Sequence, residues 1–273
     1  MQTLLKLLQD GRFHSGEELG AVLGISRSAV WKRLQHLEAE HGLQFHKVRG
    51  RGYRLASPLS LLDPRKIDSL WPVEIMPTVD STNSEAMRRL AAGASTPFVI
   101  VAEQQTAGRG RRGRAWVSPY GENLYYSLAI TVRGGARELE GLSLVVGLAV
   151  LRALESLGVR DAGLKWPNDL LQGGKKIAGI LLELSGDPAD LCHVVIGIGI
   201  NVNMKTATDI GQPWTSLREA LGSWWIVRGC FLLSIGSWPI ISIGIRAKAL
   251  LQVARSGSPA ISGRVPRSFS RLL

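Results

Sequence analysis

Four arginines and three glycines fill the seven residues Gly108 to Arg114, inside the stretch EQQTAGRGRRGRAW, with no acidic residue beside them. Guanidinium groups on a chain that can approach a ligand closely suit a phosphate or another anion. Their mutual repulsion predicts a segment that only an anion would order. Such a string by itself also fits a flexible RNA-binding tract. Its place between two apolar runs, in a charge-neutral part of the chain, favours a local anion clamp. Three further stretches carry polar groups in unusual company. In LKWPNDLL (164–171), Lys165 follows an apolar run, Pro167 interrupts it and Asn168-Asp169 favour a turn; a turn with no further role is the alternative. In GGKKIAGILLEL, Lys175 and Lys176 stand at the mouth of a strand and Gly179 leaves room above it. In IGIGIN, Gly197 and Gly199 share one strand face and clear space over it. No helix-opening G-x-G-x-x-G accompanies them, so the pattern is not a dinucleotide-binding fingerprint.

Charge divides the chain into three parts. Residues 1–55 hold 9 basic and 5 acidic side chains, residues 56–221 hold 17 of each, and residues 222–273 hold 7 basic and no acidic ones. Two cysteines, Cys192 and Cys230, form no spacing motif, which argues against a disulfide scaffold or a cysteine zinc site. The start, MQTLLKLLQDGRF, lacks the apolar core and cleavage site of a secretory leader, so a cytoplasmic protein without a membrane span is expected.

The first part reads as DNA-binding, with a small helical packing module whose charges are solvated as the alternative. Ser15 can cap a helix with Glu18 completing a capping box, Gly24 supplies a turn, and Ser26 can cap a second helix. Val30, Leu34 and Leu37 then repeat at helical spacing. The second helix offers Arg27, Ser28, Lys32 and Arg33 to phosphates and base edges. A hairpin tip at Gly50-Arg51-Gly52 follows, a basic wing presenting Arg49 and Arg51. ASPLSLLDP (56–64) reads as a linker.

Beyond it, strand-like runs outnumber helices. PFVIVAEQQ, NLYYSLAITV, KKIAGILLEL and CHVVIGIGINVN read as strands, while DSTNSEAMRRLAAG and LEGLSLVVGLAVLRALESLG read as helices. With no repeated β-α-β unit, the expected class is α+β.

In their order and spacing, DSTN, QQTAGRGRRGRAW, ENLYYSL, KWPNDLL, GKKIAGILLEL and IGIGINVN resemble bacterial biotin–protein ligases. The winged first part resembles the bifunctional members that also repress the biotin operon. The resemblance spans residues 1–221. It implies a winged helix-turn-helix domain over 1–57 and, over 63–221, a mixed-sheet catalytic domain of the biotin/lipoate ligase and class II synthetase kind. It also implies ATP-dependent formation of biotinoyl-5′-AMP, with magnesium, and transfer to a lysine of biotin carboxyl carrier protein. Operator DNA is the second partner, bound by an adenylate-loaded homodimer. By the match, Ser81, Thr82, Asn83 and Gln105 line the biotin pocket. Arg109, Gly110 and Arg111 belong to a ligand-ordered loop, and Trp116 closes over the adenylate. Lys165, Asn168 and Asp169 flank the nucleotide, Asp169 being the candidate magnesium ligand. Gly179, Gly197 and Gly199 floor the groove. Lys176, Arg111 and Arg114 are the catalytic candidates. A biotin-responsive regulator without ligation and a lipoate-type acyl ligase are the other functions these motifs admit.

From Gly222 onward the resemblance stops, and a 52-residue run holds no Asp or Glu. Relatives of this kind continue with a small β-barrel that the run does not resemble. An out-of-frame translation is the expected origin of residues 222–273, a diverged tail the other, and a disordered or aggregation-prone segment the expected state.

Overall fold

A computed structural model describes residues 2–67, 69–133, 139, 141–187, 190–207 and 210–223 of the chain. The sequence expectations for 224–273, including the missing barrel and the aberrant tail, lie outside the described residues.

Helices α1 (Gln2–Leu8), α2 (Gly16–Leu23) and α3 (Arg27–His41) precede a hairpin of β1 (Phe45–Val48) and β2 (Gly52–Leu55). The caps form as the sequence predicts. The Ser15 hydroxyl accepts from the Glu18 N–H at 3.0 Å, and the Glu18 carboxylate accepts from the Ser15 N–H. Ser26 accepts from the Ala29 N–H at 3.2 Å, and left-handed Gly24 ends α2. The turn between α2 and α3 is tight. A side chain on Gly20 would come within 2.5 Å of the Ile25 carbonyl oxygen. Leu4, Leu5, Leu8, Leu19, Val30, Leu34 and Leu37 close a small core.

The second unit is built on β3 (Val73–Met76), β4 (Phe98–Ala102), β5 (Leu124–Arg133), β6 (Ala162–Lys165), β7 (Asp169–Gln172), β8 (Lys175–Gly186) and β9 (Leu191–Ile200). They form one mixed sheet in the order β3-β4-β5-β9-β8-β7-β6, parallel between β3 and β4 and antiparallel elsewhere. Alternation assigns the faces. Val99, Val101, Tyr126, Leu128, Val194, Ile196 and Ile198 point toward α5 (Leu142–Ser156), whose Val146, Val150 and Leu154 are fully buried against them. Each such side chain contributes about 1.5–3 kcal/mol of burial free energy. Phe98, Ile100, Ala129 and Val195 point the other way and meet Ala86 and Leu90 of α4 (Thr82–Ala91). A short α6 (Leu217–Leu221) follows.

One expectation needs correcting. Residues 56–64 are not a solvated linker. Leu59 and Leu61 are buried in the core of the first unit together with Tyr120 of the second, while Leu62 joins the sheet core. Leu59 and Leu61, at alternate positions, face the first unit and the adjacent Leu62 faces the sheet, so the two halves share an apolar seam.

Candidate functional site

On the α4 face, β5, β8 and β9 place small residues where a core would otherwise be filled. Tyr125 stands opposite Gly199, Ser127 opposite Gly197, and Gly179 pairs with Gly199 across β8. The result is an open groove over the glycines of β8 and β9. The glycines are required by close neighbours rather than by backbone freedom. A Cβ on Gly197 would collide with the Asn83 amide, one on Gly199 would come within 2.5 Å of the Trp116 indole, and one on Gly179 within 3.0 Å of the same ring.

Lys176 reaches this face through an irregularity. Gly179 lies three positions on, an odd spacing that in a regular strand would put the two on opposite faces. The β7–β8 pairing slips between Leu170 and Leu171, so that Ala178 faces Leu170 but Lys176 faces Leu171. Ile177 and Ala178 both turn into the α5 core, and the phase of Lys176 is reversed. Its ammonium lies 2.8 Å from Asp169 and 5.2 Å from the centre of the Trp116 ring, with the side chain 14% exposed. The 213–215 segment flanks it, the Lys176 N–H donating to the Pro213 carbonyl at 3.0 Å.

The wall opposite is polar. Ser81 caps α4, and Ser81, Thr82 and Asn83 are all buried. Gln105 accepts from the Thr82 N–H at 2.9 Å and donates to the Ser118 hydroxyl at 3.0 Å. The Ser127 hydroxyl lies 2.6 Å from the Asn83 amide oxygen. Just outside, Arg88 grips Asp80 with two hydrogen bonds, which holds that carboxyl down at about 2 and pins the entry to α4.

The Gly–Arg segment folds as a hairpin: the Gly110 N–H donates to the Arg114 carbonyl at 2.7 Å and the Trp116 N–H to the Gly108 carbonyl at 2.8 Å. Arg109 pairs with Glu183 at 3.0 Å, and Arg111 donates to the Asn168 amide oxygen at 3.1 Å. Asn168 in turn donates to the Ile180 carbonyl at 2.8 Å, so KWPND is more than a turn: it docks on β8.

The groove gathers Ser81, Thr82, Asn83 and Gln105 on its polar wall, Arg109, Gly110, Arg111 and Trp116 from the loop, and Asn168, Lys176, Gly179, Gly197 and Gly199 around its floor. Asp169 enters through its pairing with Lys176. Arg114 and Lys165 are exposed and do not line it. Sequence reasoning missed Tyr125 and Tyr126, whose strand run reads as plain core, and Ser127, Ser118 and Glu183, which act one contact away. An acid at position 183, four residues from Gly179 and on the same face, is the signal that would have found the last.

In the first unit Arg27, Ser28 and Lys32 are exposed on α3, Arg33 is half-buried, and Arg49 and Arg51 are exposed at the wing. Arg51 also lies over the Phe13 ring, 4.4 Å from its centre. No helix among the described residues is long and apolar enough to cross a membrane.

Comparison with known proteins agrees with this arrangement. The model of the biotin/lipoate A/B protein ligase family matches residues 75–201, and that of an HTH domain matches residues 1–54. The chain is 44% identical over 223 residues to the bifunctional ligase/repressor BirA of Salmonella typhimurium, covering 80% of this chain and 69% of that protein. It is 42% identical over 222 residues to the protein of the same description from Escherichia coli, covering 80% and 68%. Among solved structures, the biotin protein ligase from Aquifex aeolicus in complex with biotin and ATP matches at 36% identity with a TM-score of 0.53, covering 64% of this chain and 70% of that one.

Proposed function

The chain belongs to the biotin/lipoate A/B protein ligase family, as one of its bifunctional ligase/repressor members, and we propose that its groove activates biotin with ATP and passes it to a carrier lysine. The observation that carries the assignment is the convergence of Lys176, Arg109 and Arg111 on a glycine-floored groove whose far wall is a row of donors and acceptors.

A biotin carboxylate oxygen attacks the α-phosphorus of ATP, the bond to pyrophosphate breaks, and biotinoyl-5′-AMP remains. The amine of a lysine on biotin carboxyl carrier protein then attacks the acyl carbon, and AMP leaves. Both steps redistribute negative charge on oxygen, so catalysis rests on fixed cations and on positioning. Lys176 is assigned the carboxylate and the bridging acyl phosphate, because its ammonium is held on the groove floor in poorly hydrated surroundings. Arg111 is assigned the α-phosphate, next to Asn168. Ser81, Thr82, Asn83 and Gln105 are assigned the ureido ring, whose N–H and C=O groups need both acceptors and donors. Trp116 and the glycine strand shield the mixed anhydride from water. Arg114 and Lys165, at the exposed rim, draw in the triphosphate.

The chain's own donors do not fit a resident magnesium ion. Among the described residues no three His, Cys, Asp or Glu side chains form a metal cage, and Asp169 is committed to Lys176. Magnesium is therefore assigned to the nucleotide, which carries such an ion on its phosphates. The domain limits 1–57 and 63–221 are retained as proposals, with the 56–64 strap belonging to both units. Operator DNA is assigned to α3 and the wing, and an adenylate-loaded homodimer to the repressing form.

The test uses the full chain with labelled biotin, ATP and carrier protein. Label on the carrier lysine is expected, and Lys176→Ala should slow pyrophosphate release by about a hundredfold or more, the usual cost of a lost electrostatic stabiliser. In the same samples, sedimentation should show a dimer with biotin and ATP and a monomer without. Absence of label together with retained biotin-dependent DNA binding would leave a regulator that does not ligate.

A further inference from the structure

We propose that Glu183 is a positioning residue for the ligation reaction, one carboxylate that both orients the polar wall of the groove and ties down the cationic loop. The inference rests on the ligase reading of the groove. Glu183 lies on β8 on the same face as Gly179 and Leu181, with its side chain 24% exposed. One of its oxygens accepts from the Asn83 amide N–H at 2.8 Å, and the Arg109 guanidinium lies 3.0 Å from the other. Its partner across β9 is Val195, so no other charge faces it from that strand.

The first contact sets a direction. A carboxylate only accepts, so the Asn83 amide must present its NH₂ to Glu183 and its oxygen to Ser127. Ser127 has one proton and gives it to the Asn83 oxygen at 2.6 Å, while the Thr82 hydroxyl, 2.8 Å from Ser127, donates to the Gln105 amide oxygen at 3.1 Å. Gln105 then accepts from the Thr82 N–H with its oxygen and must point its NH₂ toward Ser118. Glu183 thereby favours one arrangement of Asn83 and Ser127, each able to face two ways, with the Leu181 carbonyl at 3.4 Å as a second acceptor for the Asn83 amide, while the Thr82 N–H fixes Gln105. The second contact acts on the loop. Arg109 precedes Gly110, whose N–H closes the hairpin, so the ion pair anchors the loop base to β8.

The two contacts separate by substitution. Glu183→Gln keeps an oxygen to accept from Asn83 but removes the charge that holds Arg109; Glu183→Ala removes both. The full-length protein is assayed for KM and kcat with biotin, and for escape of preformed biotinoyl-5′-AMP when no carrier is present. Glu183→Ala should raise the biotin KM about tenfold with kcat within about threefold, a loss of binding common to ground and transition states. Glu183→Gln should restore the KM to within about twofold yet release the adenylate about fivefold faster, the size of a half-exposed ion pair. Arg109→Ala should leak equally, and the double variant no more than either alone, because the two share one interaction. Unchanged leakage in Glu183→Gln, or additive leakage in the double variant, overturns the loop half. A KM as high in Glu183→Gln as in Glu183→Ala overturns the orienting half. Should the unaltered chain form no adenylate, the ligase reading fails; calorimetric biotin affinities of the three proteins then decide the orienting half, equal affinities overturning it.

Discussion

Glu103 stands in the wall between the two units with only 4% of its surface exposed, accepting from the Leu62 N–H at 2.6 Å. Burial pushes its carboxyl up from the ordinary 4.5 to about 7, and that one hydrogen bond opposes the shift only in part. The sign of the consequence follows from linkage. The folded chain keeps this proton up to about pH 7, while the unfolded chain releases it near 4.5. Its contribution to stability is therefore complete below 4.5 and is lost as pH rises through 7. At full strength the separation corresponds to about 3 kcal/mol. Glu103→Gln, which never ionises and still accepts from Leu62, should gain on the unaltered protein as pH goes from 5 to 8. Denaturant unfolding at the two pH values reads the difference. A constant gap between the two proteins would show that Glu103 ionises normally.

Strand β9 and the slipped β7–β8 pairing work as elements. The glycines of β9 leave no freedom to their neighbours, because Asn83 and Trp116 already occupy the space a side chain would need. Gly197→Ala should push the Asn83 amide away from Ser127 and Glu183 and weaken biotin binding by about tenfold or more, since a buried polar pair is left unmade. Gly163→Ala on β6, where a Cβ would meet nothing within 4 Å, is the matched control and should leave affinity unchanged. Titration calorimetry with biotin compares them; equal affinities would mean that the floor yields. Lys176 illustrates the same dependence on an element. Were residues 176–179 a regular strand with no slip, Lys176 would lie on the face opposite Gly179, whatever its side chain.

At the scale of the molecule, three consecutive side chains at the end of β4 reach three places. Glu103 holds the strap at Leu62, Gln104 meets His41 of α3 at 2.8 Å, and Gln105 holds the α4 entry at Thr82. His41 also stacks on Tyr120 at 4.2 Å between ring centres. The DNA-binding unit thus cannot turn against the groove without parting polar contacts and the apolar seam of Leu59 and Leu61. Its outward face remains free for phosphates. DNA affinity should fall steeply with salt, and Arg27→Ala with Lys32→Ala should flatten the logarithmic slope by about 2, roughly one per phosphate contact removed. Binding measured between low and physiological salt checks this; an unaltered slope would move the DNA elsewhere.

Local chemistry determined much of this protein without help from the fold. Ser15 and Ser26 start helices because their own hydroxyls cap them, Gly24 ends one because it tolerates a left-handed backbone, and Gly50 and Gly52 turn the wing for the same reason. Of the groove residues, the Gly–Arg segment, Lys176 and the strand glycines stand out by residue type, whereas Ser81, Thr82, Asn83, Gln105 and Trp116 come only from the resemblance to biotin–protein ligases. Other features depend on pairing between distant strands. Lys176 joins its glycines only through a bulge that no spacing rule contains, and Ser127 and Glu183 matter only because β5 and β8 bring them to Asn83. The 56–64 strap looked like a linker because its leucines find their partners in two different units. Contacts across 40 to 100 positions of chain are set by register and packing, and only the folded molecule decides those.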